Sequence, residues 1–173
     1  MRLTDFTDYG LRALIYAAIH PERLVTIHEI SDAFHIPHSH LMKVVHALGK
    51  AQFLVTVRGR KGGVRLAMES TEIRVGNVVR ALEPDFRLAE CFSSSQRGNQ
   101  CVIAPVCDLR GTMQRALDAY LAVLDESTLA DLVVRSDALL ALIHPGATGR
   151  TISVVPHDAG EGYAVLHGPV SLA

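Results

Sequence analysis

The chain has 173 residues, enough for one compact domain or a small domain with an appended element. Of these residues 49% are apolar and 5% aromatic, which predicts a packed core and excludes disorder of the whole chain. No apolar run reaches the roughly 18 residues that a membrane helix needs, and the first residues lack the apolar core of a secretory signal. We therefore expect a cytoplasmic protein with no membrane partner. In a reducing cytoplasm its three cysteines are more often metal ligands or reactive thiols than disulfides.

Charge divides the chain into two unlike parts. Residues 1–80 carry 11 Lys/Arg and 7 Asp/Glu, a net charge of +4, whereas residues 81–173 carry 6 and 11, a net charge of −5. Six of the nine histidines also lie in the first part. This asymmetry predicts an N-terminal region that meets a polyanion and a C-terminal region with a different task.

Apolar periodicity predicts three helices and then a hairpin in the first part of the chain, which is the plan of a winged helix-turn-helix. Asp5 is expected to cap the first helix, and Pro37 to be the first residue of the third. Thr26 and Glu29 have the spacing of a capping box for the second helix. The predicted ranges are helices at 7–19, 27–34 and 37–51, strands at 53–57 and 64–67, and a short helix at 73–82.

The second part begins with a polar stretch that carries all three cysteines. A long helix is predicted from Asp108 to about Asp125, and Thr128 resembles a further helix start. From His144 onward the chain is rich in Gly, Pro and Val, and we expect a loosely ordered tail. The fold class is therefore mainly α, with a DNA-binding domain at 1–83, a cysteine loop at 84–107, helices at 108–143 and the tail at 144–173.

The third helix has the pattern of a recognition helix. With Leu41, Val44, Val45 and Leu48 buried, helical geometry places a polar, basic row on the opposite face. The hairpin tip adds cations on glycines that allow close backbone approach to DNA. The candidate DNA-binding residues are Ser39, His40, Lys43, His46, Lys50, Arg58, Arg60, Lys61, Gly62 and Gly63.

Either feature alone fits a solvated helix face or a basic loop equally well. Found together, in this order and in the positively charged part of the chain, they favour DNA binding. An enzyme with a cysteine nucleophile and a histidine base is disfavoured because the cysteine loop has no nearby His. A protein that carries an iron–sulfur cluster without binding DNA is disfavoured by the basic hairpin.

The cysteine spacing, Cys91-x9-Cys101-x5-Cys107, lacks the C-x2-C pair of most zinc sites. The polar surroundings weaken a purely structural role, because free cysteines in a core have apolar neighbours. An iron–sulfur cluster or soft metal, a thiol switch and a structural role all remain open from spacing alone.

Four stretches, at 3–16, 57–66, 73–84 and 128–133, resemble the Rrf-type winged-helix iron–sulfur repressors. The resemblance covers about residues 1–143. It implies a homodimer that binds a palindromic double-stranded operator and holds one cluster per subunit. The cysteines of that family fall on Cys91, Cys101 and Cys107.

The resemblance also indicates a branch of the family. The cluster-homeostasis branch has a histidine where this chain has Arg110, and the stretch at 128–133 resembles the nitric-oxide-sensing branch. In that branch an aspartate of the partner's first helix, here Asp8, is the fourth ligand of a four-iron cluster. Asp8 also fits a local role in its helix, and Arg12, one turn on, could pair with it or with the cluster. A two-iron cluster is the alternative.

The mechanism implied by the resemblance is loss of DNA binding on nitrosylation of the cluster, which derepresses nitric-oxide detoxification genes. The long helix would pair with its twin and set the distance between two recognition helices, so that half-sites lie one or two turns of about 10–10.5 bp apart. Packing of that helix within its own chain is the alternative. A repressor that senses thiol oxidation, iron–sulfur status or a soft metal through the same cysteines remains the nearest rival.

Overall fold

The computed structural model describes residues 2–89, 92, 102–103 and 106–144. In this part of the chain a mainly helical fold surrounds one small antiparallel sheet, which confirms the predicted fold class. Apart from His144, the predicted loose tail lies outside the described residues. The elements are α1 (Asp5–Ala18), α2 (Ile27–Phe34), α3 (His38–Lys50), β1 (Leu54–Val57), β2 (Gly63–Leu66), α4 (Val75–Leu82), α5 (Leu109–Glu126), α6 (Leu129–Leu132) and α7 (Ser136–Ile143).

Helix α1 begins two residues earlier than predicted, and its cap is Thr4 rather than Asp5. The Thr4 hydroxyl accepts a hydrogen bond from the Thr7 amide at 3.4 Å, while Asp5 is the first helical residue. Thr4 is held in place by Glu83, whose carboxylate accepts from the Thr4 amide at 2.8 Å and from its hydroxyl at 3.1 Å. The prediction of an Asp5 cap was wrong because this contact joins residues 79 positions apart.

Helices α2 and α3 form the helix-turn-helix pair. The predicted capping box of α2 is confirmed, with the Thr26 hydroxyl accepting from the Glu29 amide and the Glu29 carboxylate accepting from the Thr26 amide. His35 ends α2 in the left-handed region at φ 54°. Pro37 is the N-cap of α3 rather than its first residue, because its extended ψ of 128° leaves its carbonyl free to accept from the His40 amide.

Strands β1 and β2 form the hairpin that we call the wing, residues 54–66. Their register pairs Leu54 with Leu66 and Val57 with Gly63. Val25, which precedes α2, adds a bridge to the sheet: its amide donates to the Val64 carbonyl at 3.0 Å, and the Val64 amide donates back at 2.8 Å. The wing is therefore attached along its β2 edge to the segment that enters the helix-turn-helix.

The hydrophobic core is organised around α1. This helix packs against α2, α3, α4, β2 and α6. The largest fully buried side chains include Leu14 and Tyr16 of α1, Ile30 of α2, and Leu41 and Leu48 of α3. A shift of α1 would therefore be transmitted to the helix that carries the basic row.

Helix α4 begins at Val75, two residues later than predicted, because the preceding residues are extended. The Val75 amide donates to the Ser127 carbonyl at 3.0 Å, and the Leu129 amide donates to the Ile73 carbonyl at 2.8 Å. These bonds bracket a bridge between Arg74 and the segment that joins α5 to α6. Helix α5 is thereby tied at its C-terminal end to the start of α4.

Candidate nucleic-acid interface and thiolate site

The two faces of α3 have opposite character, as the sequence predicts. Leu41, Val44, Val45 and Leu48 are all buried, with at most 3% of any of them exposed. The side chains of the basic row point to solvent, so that lysine, histidine and serine groups are free to meet a polyanion. The exposed residues of this row are Ser39, His40, Lys43, His46 and Lys50.

The tip of the wing presents three cations on a tight turn. Arg58, Arg60 and Lys61 are all exposed. Gly59 adopts φ +118°, a conformation that side-chain-bearing residues rarely take, and its surroundings are open. The Gly62 amide closes the turn by donating to the Gly59 carbonyl at 2.9 Å. This geometry holds the three cations at the outer end of the hairpin.

Two of the glycines predicted to meet DNA have a role inside the fold. A methyl group on Gly63 would lie 2.6 Å from the Val25 carbonyl oxygen, and one on Gly62 would overlap the Val57 carbonyl. Their lack of a side chain is therefore explained by close backbone packing within the wing. Contact of Gly62 and Gly63 with DNA stays a prediction.

The carboxylate predicted as a cluster ligand lies near the start of α1. The Asp8 carboxylate pairs with the Arg12 guanidinium at 2.9 Å, and both side chains are 44% exposed. The same guanidinium lies 6.0 Å from the centre of the Phe34 ring in α2. The ion pair that helical spacing predicts is present, and the Asp8 carboxylate remains accessible to a metal.

One of the three thiols can be described. Cys107 is partly exposed, is not in a disulfide, and lies two residues before the first residue of α5. Cys91 and Cys101 lie outside the described residues. Within residues 2–89, 92, 102–103 and 106–144 no three His, Cys, Asp or Glu side chains are grouped to bind a metal ion. The accessible sulfur of Cys107 and oxygen of Asp8 are nevertheless donor types that iron accepts, so these two residues fit the predicted ligand set.

Two residues that position the site were not identified from the sequence. Glu83 joins the start of the 84–107 segment to the N-terminus of α1 through Thr4. Tyr9, next to Asp8, has its ring 6.3 Å from that of His40 on α3. An acidic residue directly before Pro84 was the available signal for Glu83; for Tyr9 no local pattern existed, since the contact depends on how α1 crosses α3.

The capping carboxylate of α2 is set up to remain ionised. Burial acts to raise the pKa of Glu29, but hydrogen bonds from Thr26 and the neighbouring Arg23, 2.7 Å away, outweigh it and lower the pKa overall. The charged group favours the positive N-terminal end of α2. The Glu29 carboxylate therefore stays ionised and caps the N-terminal end of α2.

Comparison with known proteins assigns this arrangement to a family. A family profile described as "Rrf2: Iron-dependent Transcriptional regulator" matches residues 3–135. The chain belongs to the Rrf2 family. It is 46% identical over 144 residues to the HTH-type transcriptional regulator NsrR of Bacillus subtilis, covering 83% of this chain and 97% of that protein. It is 44% identical to the NsrR of Shouchella clausii, covering 83% and 95%.

Solved Rrf2-type structures agree with the fold. The structure of CymR, described as the global cysteine regulator of B. subtilis, has a TM-score of 0.62 at 25% identity, covering 78% of this chain and 98% of that one. IscR of T. potens has a TM-score of 0.61 at 27% identity, covering 80% and 88%. The family description and the names of these relatives identify the chain as a DNA-binding transcriptional regulator. No helix in the described part of the chain is long and apolar enough to cross a membrane.

Proposed function

We propose that this Rrf2 protein is a homodimeric repressor that binds a palindromic operator and senses nitric oxide through an iron–sulfur cluster. The observation that carries the proposal is the exposed basic face of α3 together with the exposed cations of the wing, in a chain 46% identical to an NsrR regulator. The helix would read the major groove while the wing contacts phosphates or the minor groove. Nitric oxide as the signal comes from the resemblance of the sequence to that branch of the family.

The proposed cluster ligands are Cys91, Cys101 and Cys107 of one subunit and Asp8 of its partner. When bound, a cluster supplies the chemical target of nitric oxide, and a four-iron form is favoured over a two-iron form. Support comes from the iron dependence in the family description and from the accessibility of Cys107 and Asp8. A carboxylate oxygen is a hard donor beside soft thiolates, so the Asp8 corner is the one we expect to be exchangeable.

The proposed dimer uses the apolar stripe of α5. Of this helix only Leu117 is buried within the described part of the chain, while Leu109 is 49% exposed. Met113, Tyr120 and Leu124 on the same stripe are only partly covered. Pairing with the twin helix would remove this apolar area from water and would set the separation of the two α3 helices.

The test begins with protein purified without oxygen. We expect this protein to absorb visible light and to contain iron and sulfide. The same sample should bind a DNA duplex that was selected from a randomised library, and it should release that duplex when nitric oxide is added. Cys101→Ala should be colourless and should no longer repress. If the wild-type protein is colourless, binds DNA and releases it when its thiols are oxidised, the rival thiol sensor is favoured. If Cys101→Ala binds DNA as tightly as the cluster-loaded wild type, the cluster is not the switch.

The role of Asp8 has a matched control in Asp5, another exposed acid in the same turn of α1, which pairs with Arg2 at 2.6 Å. Without a cluster, Asp8→Ala should bind DNA with the same affinity as cluster-free wild type. With a cluster, it should lose the cluster faster or react with nitric oxide at a different rate. Asp5→Ala should behave as wild type in both measurements. Identical spectra and rates for the two variants would exclude Asp8 from the ligand set.

A further inference from the structure

Four residues join α4 and the residue before it to the C-terminal end of α5, and we call them the α4–α5 clamp: Arg74, Gly76, Arg80 and Asp125. Two nitrogens of the Arg80 guanidinium donate to the two oxygens of the Asp125 carboxylate, at 2.5 and 2.6 Å. The carboxylate lies directly on Gly76, where even a methyl group would overlap it. A forked arrangement of this kind fixes direction as well as distance.

Arg74 completes the clamp from the backbone side. Its guanidinium donates to the carbonyls of Asp125 and Glu126 at 3.3 and 3.2 Å, at the C-terminal end of α5, where carbonyls have no partner within the helix. Its own backbone bridges to Thr128. Side chains and backbone of the same short segment therefore hold the same end of one helix.

Among the described residues, α4 is the main element that α5 packs against. Helix α4 has 8 residues and is about 12 Å long, whereas α5 has 18 residues and is about 27 Å long, so α4 can support less than half of it. Only Leu117 of α5 is buried among the described residues. The clamp thus has a large share in setting the angle between α5 and the domain that contains α4.

We propose that the α4–α5 clamp is a specificity determinant that fixes the spacing between the two operator half-sites. The inference rests on the proposed function, in which α5 pairs with its twin. Helix α4 packs on α1 and α1 packs on α3, so the clamp connects the pairing helix to the DNA-reading helix through packed elements. Over a lever of about 27 Å, a tilt of about 7° displaces the far end by about 3.4 Å, one base-pair step.

The experiment compares the DNA sites selected by two proteins from one randomised duplex library. Wild type should recover inverted repeats with a single centre-to-centre spacing. Arg80→Met, which keeps the aliphatic stem but loses the fork, should recover the same half-sites at two or more spacings. Asp125→Asn, which keeps the shape of the carboxylate without its charge, should do the same. Arg80→Lys, which keeps the charge but loses the fork, should also broaden the spacing, because a single ammonium group cannot fix the direction of the carboxylate.

Direct binding gives the magnitude. Inserting one base pair at the centre of the wild-type site should weaken wild-type binding by at least about fivefold, the lower end of the cost of one wrong base pair. For Arg80→Met we expect that penalty to fall to about threefold or less, with affinity for an isolated half-site unchanged. Arg2→Met is the matched control, because it removes an equally short ion pair, 2.6 Å, that does not involve α5.

The outcomes separate the two proposals. Wild-type spacing preference retained by both Arg80→Met and Asp125→Asn would overturn the role of the clamp and leave operator binding intact. Recovery of no paired half-sites by the wild-type protein would refute the operator-binding dimer, and the role of the clamp with it. Thermal unfolding and size-exclusion chromatography of each variant show whether a broadened spacing comes from a folded dimer, which a merely structural effect on stability would not give.

Discussion

Replacement of Lys43 by alanine tests whether α3 lies against DNA phosphates. The side chain is exposed in the middle of the basic row, and no hydrogen bond or ion pair joins it to another residue in the described part of the chain. Its removal should therefore leave the fold and its stability nearly unchanged. A loss of DNA affinity can then be attributed to the missing charge.

The magnitude follows from counterion release. Each phosphate neutralised contributes about 0.9 to the slope of log K against log salt, and a dimer carries two copies of Lys43, so Lys43→Ala should make the slope shallower by about 1.8. If the two proteins bind DNA equally at about 1 M salt, the variant should bind roughly 60-fold more weakly than wild type at about 0.1 M salt. Fluorescence anisotropy of a labelled operator across a salt series measures both quantities.

The matched control is Arg135→Ala, which removes one exposed cation from the segment between α6 and α7. It should leave the salt slope within error of wild type. If Lys43→Ala gives the same slope and affinity as Arg135→Ala, α3 does not contact the phosphates and the recognition-helix assignment is wrong.

Three further predictions concern the scaffold. Tyr16→Phe removes a 3.2 Å hydrogen bond to His144 and should lower the free energy of unfolding by about 1 kcal/mol in urea titrations. Burial raises the pKa of Tyr16 above 10.0, so the contribution of Tyr16 to stability is complete below pH 10 and is lost as the pH rises further. The variant should therefore lose less stability at alkaline pH than the wild type, and an equal loss would contradict this. Gly63→Ala should lower the free energy of unfolding by about 1–3 kcal/mol, because its methyl group meets a backbone carbonyl, and an unchanged free energy of unfolding would refute the packing argument. Thr26→Ala should cost about 1 kcal/mol through loss of the capping box, and an unchanged melting temperature would count against that role.

Features set by neighbouring residues could be predicted from the sequence. The capping box of α2 depends on a spacing of three residues, and the buried row of α3 on helical periodicity, so both were correct in detail. The exposure of the opposite face followed directly. The ion pair between Asp8 and Arg12 was accessible to the same reasoning because the two residues are one turn apart.

Features set by contacts between distant residues could not. The cap of α1 depends on Glu83, and the late start of α4 depends on pairing with the segment around Thr128. The attachment of Val25 to the wing is of the same kind. In the first two cases a backbone group satisfied by a remote partner displaced a locally reasonable prediction by one or two residues.

The cysteine site was only partly accessible to prediction for a different reason. Spacing identified Cys91, Cys101 and Cys107 as a group, but their segment has no helical or strand periodicity from which relative positions can be derived. Only Cys107 is among the described residues, and it lies next to the N-terminal end of α5. The proposed assignment therefore depends on chemistry and resemblance, which is why its test is spectroscopic.

The free energy that a change in DNA binding requires indicates which contacts can supply it. Changing the operator-competent population from 99% to 1% requires about 5.5 kcal/mol of differential stabilisation. An exposed ion pair one helical turn apart, such as Asp8 with Arg12, contributes about 0.3–0.5 kcal/mol, so its formation or loss cannot account for the change alone. In the proposed function, the remainder would come from metal–ligand bonds and from repacking of the partly exposed apolar stripe of α5. The proposed sensor would therefore act by altering the geometry between two subunits, and the proposed clamp residues at the end of α5 are where mutation should change that geometry most.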